Sequence, residues 1–264
     1  MTPVLAVEEL SVRRADGHEL VRGVSFTLGP GERLGLIGES GSGKSLTALA
    51  VMGLLPAGMT AGGSVLLGGT QVVGAPGRRL DRVRGRTASV VFQEPLTALD
   101  PLMRVGRQIA GPIRRRRGLR GPALRAAVLA ALSEVRLPER VARAYPHEIS
   151  GGQRQRVAIA MALACEPEVL IADEPTTALD VTVQAEVLAL LDGLIAGRDM
   201  ALLFIGHDLA VVAGVADRVV VLKDGSVVES GRTRDIVREP RHPYTRSLVD
   251  SAWALEGELD RLAP

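Results

Sequence analysis

The segment from Arg33 to Ser45 constrains the fold more than any other stretch of the chain. An apolar strand, Arg33 to Ile37, runs directly into Gly38-Glu39-Ser40-Gly41-Ser42-Gly43-Lys44-Ser45, and an apolar helix follows from Lys44 to about Leu54. The octapeptide fits G-x-x-x-x-G-K-[ST] in the context that pattern requires, a strand before it and a helix after it. Glycines permit the tight backbone that turns consecutive N–H groups inward, toward phosphate oxygens. The helix opening at Lys44 adds the positive end of its dipole. In such a cradle the Lys44 ammonium bridges the terminal phosphates and the Ser45 hydroxyl ligates Mg²⁺.

Composition agrees. The chain has 264 residues, of which 46% are hydrophobic, 23% charged and 2% aromatic. That suffices for one compact domain, or a core with a smaller subdomain. High apolar content and a net charge of +2 exclude general disorder. Cys165 is the only cysteine, which excludes a disulfide scaffold. The longest unbroken apolar run, Val157 to Cys165, falls far short of the ~20 residues a bilayer span needs. The start, MTPVLAVEEL, has neither the basic residues nor the long apolar stretch of a secretion signal, so the expected location is the cytosol, free or peripheral to a membrane. With 32 basic against 30 acidic residues there is no overall basic footprint for nucleic acid. Among the basic residues only Lys44 and Lys223 are lysine. A chain that otherwise writes arginine keeps lysine for places where a planar guanidinium will not do.

Strands alternate with helices. Val7 to Val12, Val24 to Leu28, Ser64 to Leu67 and Ala88 to Phe92 read as strands. From about Leu102 to Ala164 the pattern is helical. Strands return at Val169 to Ala172, Ala201 to Ile205, Arg218 to Leu222 and Ser226 to Glu229, with a helix over Val181 to Ala196. This alternation predicts an α/β core with a largely parallel sheet and a helical insertion of roughly 60 residues. The tail from Arg232 predicts short helices.

The strand Val169 to Ala172 ends in Asp173 and Glu174. An aspartate at the carboxyl end of a strand beside a phosphate loop suits water-mediated contact with Mg²⁺. Glu174 is then a candidate general base for an attacking water. Read alone, the segment is also compatible with a strand and an acidic turn; the phosphate loop favours the first reading. Ile149-Ser150-Gly151-Gly152-Gln153-Arg154-Gln155-Arg156 precedes a further apolar helix. Its Ser150, Gly151 and Gly152 open that helix and offer a hydroxyl and N–H groups to an anion.

Taken with the phosphate loop, this segment makes residues 4–250 resemble the nucleotide-binding domain of an ABC ATPase. Gln93 in Val91-Phe92-Gln93-Glu94-Pro95 resembles the Q-loop, Ala178-Leu179-Asp180 the D-loop, and Gly206-His207-Asp208 the switch histidine; Asp224-Gly225 falls in the usual turn between late strands. The resemblance implies a P-loop NTPase core with a mostly parallel sheet, an N-terminal antiparallel β-subdomain and a helical subdomain at about residues 95–160. It implies an ATPase using ATP and Mg²⁺. Gly38, Glu39, Ser40, Gly41, Ser42, Gly43, Lys44 and Ser45 would hold the phosphates, and Ser45, Gln93 and Asp173 the Mg²⁺, the last through water. Glu174, His207 and Gln93 would form the catalytic set. Ser150, Gly151, Gly152 and Gln153, with Asp180, would contact nucleotide across a head-to-tail pair, the serine loop reaching the γ-phosphate held by the opposite subunit.

The segments Gln93 to Leu102, Tyr145 to Glu148 and Ala172 to Thr182 resemble the ATPases of peptide/nickel importers, as does Pro240-Arg241-His242-Pro243-Tyr244-Thr245 with Leu248. Residues 232–264 would be the short C-terminal tail of that type. The implied role is to couple ATP hydrolysis to uptake of peptides or nickel chelates, at the cytoplasmic face of the membrane. The implied partners are two permease subunits, a second ABC ATPase (a homologue or a second copy) and an extracytoplasmic solute-binding protein, with no nucleic acid. The alternative is a soluble ABC-class ATPase of the repair or translation type. Against it stand the lack of a long heptad run between Ser45 and Asp173 and the single phosphate loop.

The chain departs from the family in two places. No aromatic residue precedes Phe26 to stack on adenine; Arg13 or Arg14 is the substitute on offer, or both are solvated. No cysteine follows Cys165, so no iron–sulfur cluster is expected. Arg114 to Arg117 reads either as a solvated face or as a contact for acidic headgroups or a permease loop.

Overall fold

The computed structural model describes residues 2–94, 98–177 and 179–262, with side chains as far as Trp253. Pro95, Leu96, Thr97 and Ala178, which carry part of the resemblance, lie outside the described residues. The first elements are β1 (Leu5–Arg14), β2 (Glu19–Leu28), β3 (Arg33–Ile37), α1 (Lys44–Val51), β4 (Met59–Leu67), β5 (Thr70–Gln71) and α2 (Gly77–Leu80). Then come β6 (Ala88–Val91), α3 (Val105–Arg117), α4 (Gly121–Glu134), two 3₁₀ turns at Glu139–Arg143 and Pro146–Glu148, α5 (Gly151–Leu163), β7 (Val169–Asp173) and α6 (Val181–Ala196). The last are β8 (Ala201–Gly206), α7 (Leu209–Ala213), β9 (Arg218–Lys223), β10 (Ser226–Arg232), α8 (Thr233–Arg238) and α9 (Pro243–Leu262).

Two compact units divide the chain, residues 1–80 with 201–264, and residues 81–200. In the first unit β2, β1, β4 and β5 form an antiparallel sheet in that order. Leu5, Val7, Leu10 and Val12 turn inward along β1, and Glu9, with φ +47°, sits where the register with β2 shifts. In the same unit β3 lies between β8 and β9, parallel to both, and β10 runs antiparallel to β9. Strands paired on both edges and covered on both faces read as unbroken apolar runs. Leu34, Leu36 and Ile37 of β3 and all of β8 from Ala201 to Ile205 are accordingly buried. The β9–β10 turn puts Asp224 at φ +49° and Gly225 at φ +80°, the left-handed pair that an Asp-Gly hairpin supplies.

In the second unit β6 and β7 pair in parallel, and α3, α4 and α5 pack together, with Ile109, Leu132 and Ile159 fully buried. The four-arginine run closes α3. Arg116 Nε donates to the Cys165 carbonyl at 3.3 Å and Arg117 pairs with Glu166, so half of the run is engaged within the unit.

Several boundaries differ from expectation. The hairpin β1–β2 is longer at both strands than its apolar stretches, because its outward positions are polar and pair through backbone bonds and polar side chains, as Arg13 does with Glu19 and Glu9 with Ser25. The tail holds a six-residue helix and then the twenty-residue α9, where only short helices were expected. Trp253 on α9 stays 57% exposed. Among the described residues no helix is long and apolar enough to cross a membrane.

Candidate functional site

The phosphate loop leaves β3 at Gly38, whose φ is +156°. A Cβ there would stand 2.2 Å from the Leu222 carbonyl oxygen and 2.6 Å from Ser42 Oγ, so the turn admits no side chain. The loop is braced from the hairpin: Gly225 N–H donates to the Ser42 carbonyl at 3.2 Å, and Arg22 N–H donates to the Gly225 carbonyl at 2.7 Å. Gly43, at φ +97°, is the N-cap of α1 and supplies no side-chain bond to the first turn. That turn carries no acidic residue either, so the positive end of the helix is not offset locally.

Lys44 is 4% exposed. Its Nζ donates to the Gly38 carbonyl at 2.7 Å and the Glu39 carbonyl at 2.8 Å, which is how a buried ammonium is tolerated. Ser42 is also buried, and its Oγ has no hydrogen-bond partner among the described residues. A buried hydroxyl left so costs about 1–3 kcal/mol, and an anionic oxygen in the cradle would satisfy it. These groups fit a phosphate chain. Ser45 lies exposed beside Lys44 in the first turn.

Strand register brings the carboxylates to their partners. Val91 pairs with Ala172 in the parallel β6–β7 ladder, so Gln93 and Glu174 emerge side by side two residues later. Gln93 Nε2 donates to Glu174 Oε2 at 3.1 Å, and Thr177 Oγ1 donates to the same oxygen at 2.9 Å. Glu174 holds a left-handed backbone, φ +45°, which costs a residue with a Cβ roughly 1–2 kcal/mol. Strain of that kind persists where the surroundings fix the conformation, and here two side chains grip the carboxylate. Asp173, the last residue of β7, is buried. The other unit shows the same logic. Ile37 pairs with Gly206 in the β3–β8 ladder, so Gly38 and His207 leave neighbouring strands at one edge. His207 is exposed, and Asp208 caps α7 by accepting from Ala210 N–H at 2.9 Å.

Ser150 does open a helix. Its Oγ accepts from Gln153 N–H at 3.3 Å while Gln153 Oε1 accepts from Ser150 N–H at 3.1 Å, a reciprocal capping box at the head of α5. Gly152 faces α6 so closely that a Cβ would meet Val183 Cγ1 at 2.5 Å. Asp180 caps α6, its Oδ1 accepting from Val183 N–H at 3.0 Å. Arg13 Nη2 lies 2.9 Å from Glu19 Oε1, and Arg14 pairs with Asp16. The Arg14 guanidinium, then the backbone N–H of His18, hold Asp16 down to about 2. Both arginines near the chain start therefore have carboxylate partners.

Two contacts have no counterpart in the sequence reading. Thr177 holds Glu174, and Glu39 N–H donates to the Tyr244 hydroxyl at 2.8 Å. The signal for Thr177 lay in its place three residues after the glutamate. For Tyr244, in Pro240 to Thr245, it was the chain's scarcity of aromatic residues.

Comparison with known proteins adds an independent line. The ABC transporter family model matches residues 21–177, and the model for the oligopeptide/dipeptide transporter C-terminal region matches residues 228–264. The oligopeptide transport ATP-binding protein OppD of Haemophilus influenzae is 44% identical over 267 residues, covering 99% of this chain and 83% of that protein. The OppD of Salmonella typhimurium is 45% identical over 260 residues, covering 97% and 78%. Among solved structures, the dimeric MJ0796, a bacterial ABC transporter cassette, superposes with a TM-score of 0.78 at 28% identity, covering 87% of this chain and 99% of that one. A post-hydrolysis dimer of the same cassette, bound to ADP and Pi, gives 0.77 at 28% identity, with coverage of 87% and 99%.

Proposed function

The chain belongs to the ABC transporter family and is an ATPase, and from that premise we propose that it energises peptide import through separate permease subunits. The names of the OppD relatives support the cargo class, as does the match of residues 228–264 to the oligopeptide/dipeptide transporter C-terminal region. They leave the repair- or translation-type alternative without support. On this reading residues 4–250 are the nucleotide-binding domain, with a helical subdomain at about 95–160 and a C-terminal tail from 232. The subunit sits peripherally at the cytoplasmic face of a membrane, served by an extracytoplasmic solute-binding protein. Two cassettes pair, head to tail; that the similar MJ0796 cassette is dimeric supports the pairing.

Each residue has a role in that reading. Lys44 and the N–H groups of Gly38 to Ser45 hold the triphosphate, with Ser42 Oγ as a further donor. Ser45, Gln93 and, through water, Asp173 would hold Mg²⁺, which would supply positive charge against the phosphates. Glu174 accepts the proton of the attacking water. Gln93 and Thr177 aim its carboxylate. His207 contacts the γ-phosphate. Ser150 to Gln153, with Asp180, meet the nucleotide of the opposite cassette, and Arg13 offers its guanidinium face to adenine.

The observation that carries the proposal is the Glu174 carboxylate, held by Gln93 and Thr177 on a strained backbone at the end of β7. Glu174→Gln should bind MgATP as the wild type does and lose about 10²–10⁴-fold in turnover. Lys44→Ala should greatly weaken the binding itself. An active Glu174→Gln protein, or tight MgATP binding by Lys44→Ala, would refute the assignment. Reconstitution with the permeases and a peptide supply tests the cargo; no peptide-stimulated turnover would reject import of peptides.

A further inference from the structure

The phosphate loop has a partner in the C-terminal motif, in the same unit. Glu39 N–H donates to the Tyr244 hydroxyl at 2.8 Å across 205 positions of sequence. Tyr244 is 6% exposed, and the Lys223 ammonium lies 5.0 Å from its ring centroid, within cation–π range. The motif is fastened in turn to β10. Glu229 accepts from Arg241 N–H at 2.9 Å and from His242 N–H at 3.0 Å, and Tyr244 N–H donates to His242 Nδ1 at 3.2 Å.

Peptide geometry links this contact to Lys44. The Gly38 carbonyl and the Glu39 N–H belong to one peptide unit. That unit is planar and trans, so its two polar ends point in opposite directions. The carbonyl end takes Lys44 Nζ at 2.7 Å, and the N–H end takes Tyr244. Fixing the direction of one end fixes the other. A bond at the N–H also polarises the carbonyl and makes it the better acceptor.

We propose that Tyr244 is a positioning residue for Lys44. Its hydroxyl sets the rotation of the Gly38–Glu39 peptide, and that peptide sets where the ammonium stands when phosphate arrives. Lys223 steadies the ring from its face. The two lysines of an otherwise arginine-writing chain thus serve the two ends of one relay. The inference rests on the proposed role of Lys44 in holding the nucleotide phosphates.

Tyr244→Phe removes the hydroxyl and keeps the ring. The test measures MgATP affinity with a fluorescent analogue for the wild type, Tyr244→Phe, Lys44→Ala and the double variant. Tyr244→Phe should weaken binding about 10-fold, the worth of one hydrogen bond whose donor is left unpaired. The double variant should bind no more weakly than Lys44→Ala, because the tyrosine acts through the lysine. A tyrosine that merely supports the fold would add its full factor in both backgrounds. Lys223→Met, which leaves the hydroxyl in place, should weaken binding about threefold, and this keeps the test open if Tyr244→Phe melts. Wild-type affinity in Tyr244→Phe, or additivity in the double variant, overturns the proposal. If Lys44→Ala alone binds as the wild type, the reading of the phosphate loop falls and the positioning role falls with it.

Discussion

Replacing Gly38 by alanine tests the cradle at its tightest point. The new Cβ would stand 2.2 Å from the Leu222 carbonyl oxygen and 2.6 Å from Ser42 Oγ. The Ser42 hydroxyl can rotate away. The Leu222 carbonyl cannot, because β9 is hydrogen-bonded to β3 on one side and β10 on the other. Loop or strand must then part by about 1 Å to reach an ordinary contact. Overpacking of this kind costs about 1–3 kcal/mol. The backbone at φ +156° adds about 1–2 kcal/mol for a residue with a Cβ. The total, about 2–5 kcal/mol, is a large part of a typical folding free energy. At about 2 °C per kcal/mol for a chain of this size, the thermal midpoint should fall by roughly 4–10 °C. Gly41 is the control within the same loop. Its φ is +83°, but nothing lies within 4 Å of an added Cβ. Gly41→Ala therefore carries strain alone, about 1–2 kcal/mol and roughly 2–4 °C. Circular dichroism melts of the two variants make the comparison, with MgATP affinity measured alongside. Equal midpoints would refute the steric argument. Unchanged affinity in Gly38→Ala would refute the link between this turn and Lys44.

What was legible in the sequence was what local pattern and strand ends encode. The strand, loop and helix around Lys44 announce themselves because glycine spacing and apolar runs are both short-range signals. The helix over Val181 to Ala196 was readable to the residue, since its apolar run begins right after the cap Asp180. The meeting of Gln93 with Glu174 was implicit only in the motifs. What produces it is the pairing of Val91 with Ala172, a long-range register that no local pattern states. The left-handed Glu174 had no signal at all, because glutamate, unlike glycine, gives no hint of positive φ. The Tyr244–Glu39 contact joins a side chain to a backbone N–H over 205 positions, so neither periodicity nor charge pattern could point to it. The polar outer positions of β1 and β2 hid the true length of that hairpin, for pairing there rests on backbone bonds and polar side-chain pairs rather than apolar alternation.

Two further expectations follow from the anchoring of the tail and the head of α5. Burial opposes the charge on Glu229, and the polar groups of Thr245, Arg241 and His242 outweigh it, leaving its pKa below the ordinary 4.5. A depressed folded pKa gives stability that is complete above the unfolded value and lost as pH falls through the folded one, so the thermal midpoint should hold above about pH 4.5 and drop below it. Glu229→Gln should flatten that limb, and an identical acid limb in the variant would refute the anchor. Ser150→Arg removes a cap that closes a reciprocal pair of bonds with Gln153, a loss of about 1 kcal/mol and roughly 2 °C, too little to unfold the cassette. The added guanidinium would nevertheless cover the helix end proposed to meet the nucleotide of the opposite cassette. MgATP binding by the monomer should therefore persist, while the ATP-dependent pairing of a Glu174→Gln background disappears in size-exclusion chromatography, run with the partner ATPase if the pair is unlike. Pairing that survives Ser150→Arg would reject the head-to-tail arrangement, because a blocked helix end could not then lie in the shared site.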